Sequence, residues 1–266
     1  LRMQNGWTYT HPGQGNPDIV EVAGPVDPEV GVVGVWTPDG QLTGCIVNYA
    51  CHATTSPGGI SANYMHYLEQ IVRAAMGQDV IVVFTAGACG DVTQVDNLSP
   101  YRRQAAEQSA RFVGGRIGAE VVKVLLSVER ASSFPVRSRA KLLKIERRAP
   151  RSKRVEQARA LVQDPPEDAD RTELTFAKET LMLTAILDKE PVADVEVQAV
   201  QLGPAVFVAN PAEYFCQYGL EIKQGSPFPL TFPVGLANGC VGYVPTEEAL
   251  GPHGGGYETR LTSYSN

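Results

Sequence analysis

A chain of 266 residues, 43% hydrophobic and 20% charged, has the make-up of an ordinary globular protein, long enough for a substantial core in one large domain or two small ones. No apolar run approaches the roughly eighteen residues of a membrane-spanning helix, and a formal net charge of -6 speaks against a general nucleic-acid binder. Five scattered cysteines (Cys45, Cys51, Cys89, Cys216 and Cys240) form no CxxC pair, which argues for buried thiols rather than a disulfide framework or a zinc knuckle.

The chain opens with Leu1 and has no charged stretch followed by an apolar one. It therefore reads either as a protein whose leader has been removed or as a piece of a longer chain, and its compartment is not legible from this end. Residues 1–30 are rich in Gly, Pro, Asn and Asp, which predicts turn-heavy, irregular backbone. Residues 30–36 and 42–50 read as two strands joined by the Pro38, Asp39, Gly40 turn, a hairpin. The second strand carries the block GCIVNYACHATT (44–55), in which a short apolar run ends in a polar knuckle at His52. Met65, Leu68, Val72 and Met76 give 63–76 the spacing of a helix, and DVIVVFT (79–85) is a continuous apolar run, expected of a strand buried on both faces.

Ser99 and Pro100 read as the N-cap and first residue of a long helix, with Ala106, Ala110, Val113, Ile117, Val121 and Val124 on one face. Gly114 and Gly118 on it predict close backbone packing. Residues 136–145 follow as a strand, then helices at 152–162 and 172–187, then strands at 195–202 and 205–209 flanking the Gly203, Pro204 turn. Residues 210–218 turn from strand into helix, 230–234 is a short strand, and the end from Asn238 is mostly loop with a glycine run at 254–256. This order predicts an α/β fold, a layered mixed sheet with flanking helices and its active site at the strand ends. The basic run from Arg137 to Arg154 could meet anionic lipid headgroups at a membrane surface. It reads more simply as a solvated strand edge and helix start balanced by Glu156, Glu167, Asp168 and Asp170.

Candidate chemistry gathers where strands give way to loops. His52 either caps its strand by hydrogen bonding or does chemistry there. In FTAGACGDVTQVDN (84–97), Gly87 and Gly90 allow turns whose amides can face a ligand or a developing oxyanion, with the Asp91 carboxylate and the Thr93 hydroxyl beside them. The plainer reading is a connection whose aspartate satisfies loop amides. In NPAEYF (210–215), Glu213 is expected on the first turn of a helix, as metal ligand, general base or dipole partner. Tyr243, among glycines in ANGCVGYVPTEEA (237–249), reads by itself as a packing residue. An imidazole, a carboxylate and a phenol at one rim could together hold a zinc ion with a coordination position left open.

The blocks NYACHATT, FTAGACGDVT, NPAEYF and NGCVGYVPTEEA, in that order, resemble the neutral/alkaline (non-lysosomal) ceramidase family of zinc-dependent amidases, across essentially the whole chain. The resemblance implies zinc ligation by His52, Glu213 and Tyr243 and an N-acyl amide substrate of lipid type. It leans towards an exported protein. It implies a catalytic role for the Gly-Asp-Val loop, where Thr93 stands at the position of the family's serine and Asp91 orients loop amides. The family's first zinc-binding histidine lies in a His-Thr-His-Ser type motif upstream of the NYACHATT block. Of the other histidines, His11 stands in a Pro/Gly loop and His66 falls inside a helix, so neither replaces it, and residues 1–266 read as one catalytic domain truncated at its start, its end also in question.

The leading expectation is a zinc amidohydrolase in which water or the Thr93 hydroxyl attacks the carbonyl. The alternative is an inactive ceramidase-like binding or structural domain. A cysteine hydrolase using Cys51 or Cys89 with His52 as base is a weaker third, since neighbouring residues on a strand face opposite ways.

Overall fold

The computed structural model describes residues 1–101, 106–131 and 133–262. The irregular opening contains one small antiparallel pair, β1 (Arg2–Met3) and β2 (Ile19–Glu21). The expected first hairpin forms as β3 (Gly31–Trp36) and β4 (Leu42–Tyr49), paired antiparallel, with β5 (Ile81–Ala86) added parallel to β4 in a three-stranded sheet of order β3-β4-β5.

Helices α1 (Asn63–Met76) and α2 (Glu107–Ser127) supply the largest core cluster of this sheet. Val47, Leu68, Val72 and Val121 are all 0% exposed, and each such aliphatic side chain contributes about 1.5–3 kcal/mol by leaving water. The two helix glycines behave as expected. A Cβ on Gly114 would stand 2.1 Å from the carbonyl oxygen of Tyr64, and one on Gly118 2.8 Å from Ile71 Cβ, so α1 and α2 touch backbone to backbone.

Two expectations are corrected here. β5 is an edge strand with Ile81 63% and Val83 47% exposed, so it is not buried on both faces in the described structure. Its apolar run reflects α1 and α2 on one side only. The long helix begins at Glu107: the Ser99 hydroxyl accepts the Tyr101 amide (3.3 Å) as an N-cap would, but residues 99–101 are not helical, and 102–105 lie outside the described residues.

The second sheet has the order β10-β8-β7-β6. It is built from β6 (Val136–Glu146), β7 (Val192–Leu202), β8 (Ala205–Ala209) and β10 (Leu230–Val234), with β10 parallel to β8 and the rest antiparallel. Helices α3 (Ser152–Gln163) and α4 (Arg171–Leu187) intervene between β6 and β7, and Asp170 caps α4 by accepting the amides of Thr172 and Glu173. β6 is the outer edge strand of this sheet among the described residues and carries the first part of the basic run, Arg137, Arg139, Lys141 and Lys144, exposed, as the solvated-edge reading expects. Its ion-pair partners are Asp194 for Lys144 and Glu190 for Arg147, rather than the acids that follow in sequence. Buried Asn48 on β4 ties the sheets together, its amide donating to the Thr85 hydroxyl (3.0 Å) on β5 and to the Pro233 carbonyl (2.9 Å) on β10. No helix among the described residues is long and apolar enough to cross a membrane.

Past β8 the chain forms the short β9 (Glu213–Tyr214), then α5 (Cys216–Gly225), and β11 (Tyr243–Val244) returns to pair with β9 in parallel. Glu213 therefore sits on a strand just before the helix, not on its first turn. The Pro211–Phe215 backbone is held extended by partners on the returning loop: Glu213 N donates to Gly242 O (2.9 Å) and Phe215 N to Val244 O (3.2 Å).

Candidate metal centre

Glu213 and Tyr243 are register partners in the β9–β11 ladder, so their side chains rise on the same face. His52, just beyond the end of β4, meets them there. Its Nε2 lies 3.0 Å from Glu213 Oε2 and 3.5 Å from Tyr243 Oη, and its ring stacks on that of Tyr243 at 16° between planes. Three residues far apart in sequence thus bring one nitrogen and two oxygens to one point.

The far side of the His52 ring is fixed by the loop after β5. Nδ1 lies 2.5 Å from Cys89 O and 3.2 Å from Val92 O, while the His52 amide donates to Val92 O (3.0 Å). A carbonyl accepts only, so Nδ1 carries a proton and donates it, leaving Nε2 to deal with Glu213 and Tyr243. Hydrogen bonding to Cys89 and then to Glu213 outweighs burial and pushes the His52 pKa up to about 10. Nε2, turned to Glu213 and Tyr243, is the ring nitrogen that would bind a metal. Burial, reinforced by the neighbouring Tyr257 hydroxyl, pushes the Tyr243 phenol up.

The donor set fits a zinc ion in kind and spacing. Ligand bonds of about 2.0–2.1 Å in a tetrahedron give donor–donor edges of roughly 3.3 Å, between the 3.0 and 3.5 Å observed. No cluster of three or more His, Cys, Asp or Glu side chains suited to a metal occurs among the described residues, so the third donor here is the phenol. His11, His66 and His253 are exposed, with His66 against Tyr67 and His253 against Trp7.

Asp91 and Thr93 are not among the convergent donors. Asp91 Oδ1 accepts the amide of Cys216 (2.7 Å), the first residue of α5, and burial pushes its carboxyl up against that pull. Asp91 thus reaches out of its own loop to an amide of α5. Thr93 Oγ1 accepts the Val95 amide (3.4 Å). Both residues line a cavity of about 310 Å³ whose wall includes none of His52, Glu213 and Tyr243. The amides of Gly87 and Gly90 are spent on Tyr49 O (2.9 Å) and Tyr214 O (2.8 Å), so neither is free to meet an oxyanion. The cysteine reading loses its footing as well: both His52 ring nitrogens are engaged elsewhere, and burial pushes the Cys51 thiol up to about 12.

Sequence reasoning missed Tyr257 and Glu258, on a short 3-10 turn at Tyr257–Thr259. Tyr257 Oη lies 3.3 Å from Tyr243 Oη, and Glu258 is 4% exposed with its Oε2 accepting the Thr10 hydroxyl (2.8 Å). The signal that could have found them is the glycine run before them. A Cβ on Gly256 would stand 1.9 Å from Thr10 Oγ1, so this turn is pressed against the opening segment.

No protein-family model and no curated protein sequence matches the chain. Among solved structures it is similar to a neutral ceramidase from Pseudomonas aeruginosa, with TM-score 0.62 and 18% identity, over 90% of this chain and 44% of that one. It is likewise similar to a ceramidase complexed with C2, with TM-score 0.64 and 16% identity, over 94% of this chain and 47% of that one. The chain spans less than half the length of either. Its layered α/β fold is that of the neutral ceramidases, the family its four sequence blocks resemble.

Proposed function

We propose that His52, Glu213 and Tyr243 hold zinc and that the chain acts as a ceramidase-like hydrolase, cleaving the N-acyl amide bond of a ceramide-like lipid. The observation that carries this reading is the meeting of His52 Nε2, Glu213 Oε2 and Tyr243 Oη from three separate strand ends. The ceramidase fold supports it by supplying a chemistry for such a centre.

Zinc bound by these groups would polarise a carbonyl and acidify water. The chain's own residues do the rest. Cys89 O fixes the His52 tautomer, the Glu213 carboxylate balances charge, and the Tyr243 phenol adds an oxygen donor backed by Tyr257. Water attacks the amide carbon and the C–N bond breaks, the acyl group leaving as a carboxylate and the amine taking up the water's protons; attack by the Thr93 hydroxyl would instead leave an acyl ester on Thr93 for a water to cleave in a second step. Asp91 acts at one remove, pinning this loop to the start of α5.

One observation favours a second reading, a non-catalytic binding or structural domain. Thr93, which stands where the resembled family has serine, lines a cavity whose wall includes none of His52, Glu213 and Tyr243. Elemental analysis of the chain and its Glu213→Ala variant separates the readings. About one zinc per chain, lost in the variant and accompanied by release of fatty acid from a short-chain N-acylsphingosine, supports the amidase. No zinc in either protein overturns it and leaves the non-catalytic domain.

A further inference from the structure

The outer edge of the second sheet is long and regular. β6 pairs with β7 through all 11 of its residues without a register shift, and none of them is buried. Two bonds just beyond the ladder fix which way its backbone faces: Gly203 N donates to Pro135 O (2.9 Å) and Arg147 N to Pro191 O (2.9 Å). Peptide groups alternate in direction along an antiparallel strand. The odd-numbered residues of β6 therefore bond to β7, and Val136, Ser138, Ala140, Leu142 and Lys144 turn their N–H and C=O groups outward. Among the described residues nothing pairs with that outward row.

The side chains divide with the same alternation. Arg137, Arg139 and Lys141 rise on one face, all exposed, opposite Gln201, Ala199 and Val197 across the ladder, so no carboxylate answers them there. None of the three has a hydrogen-bond or ion-pair partner among the described residues, whereas Lys144, on the other face, is paired with Asp194. That other face carries Val136 (67% exposed) and Leu142 (56%) on either side of the small Ser138 and Ala140.

An open edge of this length is a template for another strand. The cations decide which strand. Pairing two copies of β6 would set like charges against each other, while carboxylates beside Arg137, Arg139 and Lys141 make favourable cross-strand pairs. We infer that β6 is a docking edge for an extended acidic segment of a partner protein. The segment adds a strand to the sheet, with Asp or Glu at alternate positions beside the three cations and apolar residues beside Val136 and Leu142. Backbone hydrogen bonds to the outward row supply attachment, and the row of charges supplies selection. A bilayer or a nucleic acid fits the edge less well, since it would use the charges and leave the outward amides without partners. None of His52, Glu213 and Tyr243 belongs to this sheet, and the docking does not depend on the amidase reading.

The test is fluorescence anisotropy of a dye-labelled, end-capped heptapeptide of alternating glutamate and valine, titrated with the full chain. The same peptide with glutamine for glutamate, and vesicles of phosphatidylserine and phosphatidylcholine, serve as comparisons. The glutamate peptide is expected to bind at least about tenfold tighter than the glutamine one, and a triple variant (Arg137→Gln, Arg139→Gln, Lys141→Gln) to abolish the difference. Ala140→Pro keeps every charge and every bond to β7 but removes one outward N–H, and is expected to weaken the glutamate peptide about threefold or more. Where that variant fails to fold, slowed hydrogen exchange at the amides of Ser138, Ala140 and Leu142 when the peptide is added to the parent reads the same bonds. No binding of the glutamate peptide, equal binding of the two peptides, or a preference that survives the triple variant would overturn the inference. So would a folded Ala140→Pro variant that binds like the parent, or vesicle binding lost in the triple variant without peptide binding.

Discussion

A Cβ on Gly90 would stand 2.4 Å from the carbonyl oxygen of Glu213, so the loop after β5 rests directly on the strand that carries the carboxylate of the candidate centre. The contact is backbone against backbone, and neither side can yield without moving His52's supports or Glu213 itself. Gly90→Ala is expected to cost about 1–3 kcal/mol by overpacking and to lower zinc affinity more than a remote substitution of equal cost. Denaturant midpoints and zinc titrations of Gly90→Ala and a control of matched stability check this. Unchanged zinc affinity in the folded variant would show that the contact does not position the site.

Two adjacent glycines on α2 should respond in opposite directions. Gly114 has Tyr64 O 2.1 Å from its hypothetical Cβ, whereas Gly115 has nothing within 4 Å. Gly114→Ala is expected to destabilise by about 1–3 kcal/mol or more, and Gly115→Ala to stabilise by about 0.5–1 kcal/mol, since alanine restricts the unfolded chain and favours helix. Urea unfolding of the pair reads both signs. The same sign in both would refute the close approach of α1 and α2.

The Arg260 guanidinium grips Glu173 with two hydrogen bonds (2.7 and 2.8 Å) and lies over the Phe176 ring, tying the turn that bears Tyr257 and Glu258 to α4. Arg260 holds the Glu173 carboxyl below its ordinary value of 4.5. A depressed carboxylate contributes stability above its unfolded pKa and loses it as pH falls through its folded pKa. The difference in melting temperature between the parent and Arg260→Met should therefore be full at neutral pH and shrink below about pH 4. An equal difference at pH 7 and pH 3 would assign the effect to Phe176 packing alone.

Thiol reactivity separates the cysteines. Cys240 is exposed, and burial pushes Cys45 up to about 11 and Cys51 and Cys216 up to about 12. Brief treatment of the native chain with iodoacetamide is expected to label Cys240 and spare these three, leaving any amide hydrolysis intact. Labelling at Cys51 with loss of hydrolysis would reopen the thiol mechanism.

Strands and helices with strong periodicity were readable from the sequence because burial on one face imposes the pattern. The 63–76 helix and the 205–209 and 230–234 strands match residue for residue. The run at 79–85 misled because an apolar segment does not say how many of its faces are covered. The start of α2 misled because Ser99 and Pro100 make a local turn that stops short of a helix. At the site, His52, Glu213 and Tyr243 were visible as polar residues at strand ends, each with a plainer reading open. Tyr257 and Glu258 were not, because only the folded chain brings the glycine-rich end against Thr10. Glu213's place on a strand was hidden too, since its partner Tyr243 lies on a two-residue ladder no sequence pattern announces.

His52 is separated from Glu213 by 161 positions and from Tyr243 by 191. Contacts of such range cost the freedom of long loops, so the centre exists only where the fold around it holds the three side chains together. Anything that grips all three side chains binds the folded state and not the unfolded one, and its binding energy becomes folding energy. The metal proposed here would thus act as a clasp between the opening sheet and the closing loops, and metal-dependent melting would report on whether the two ends of the chain have met.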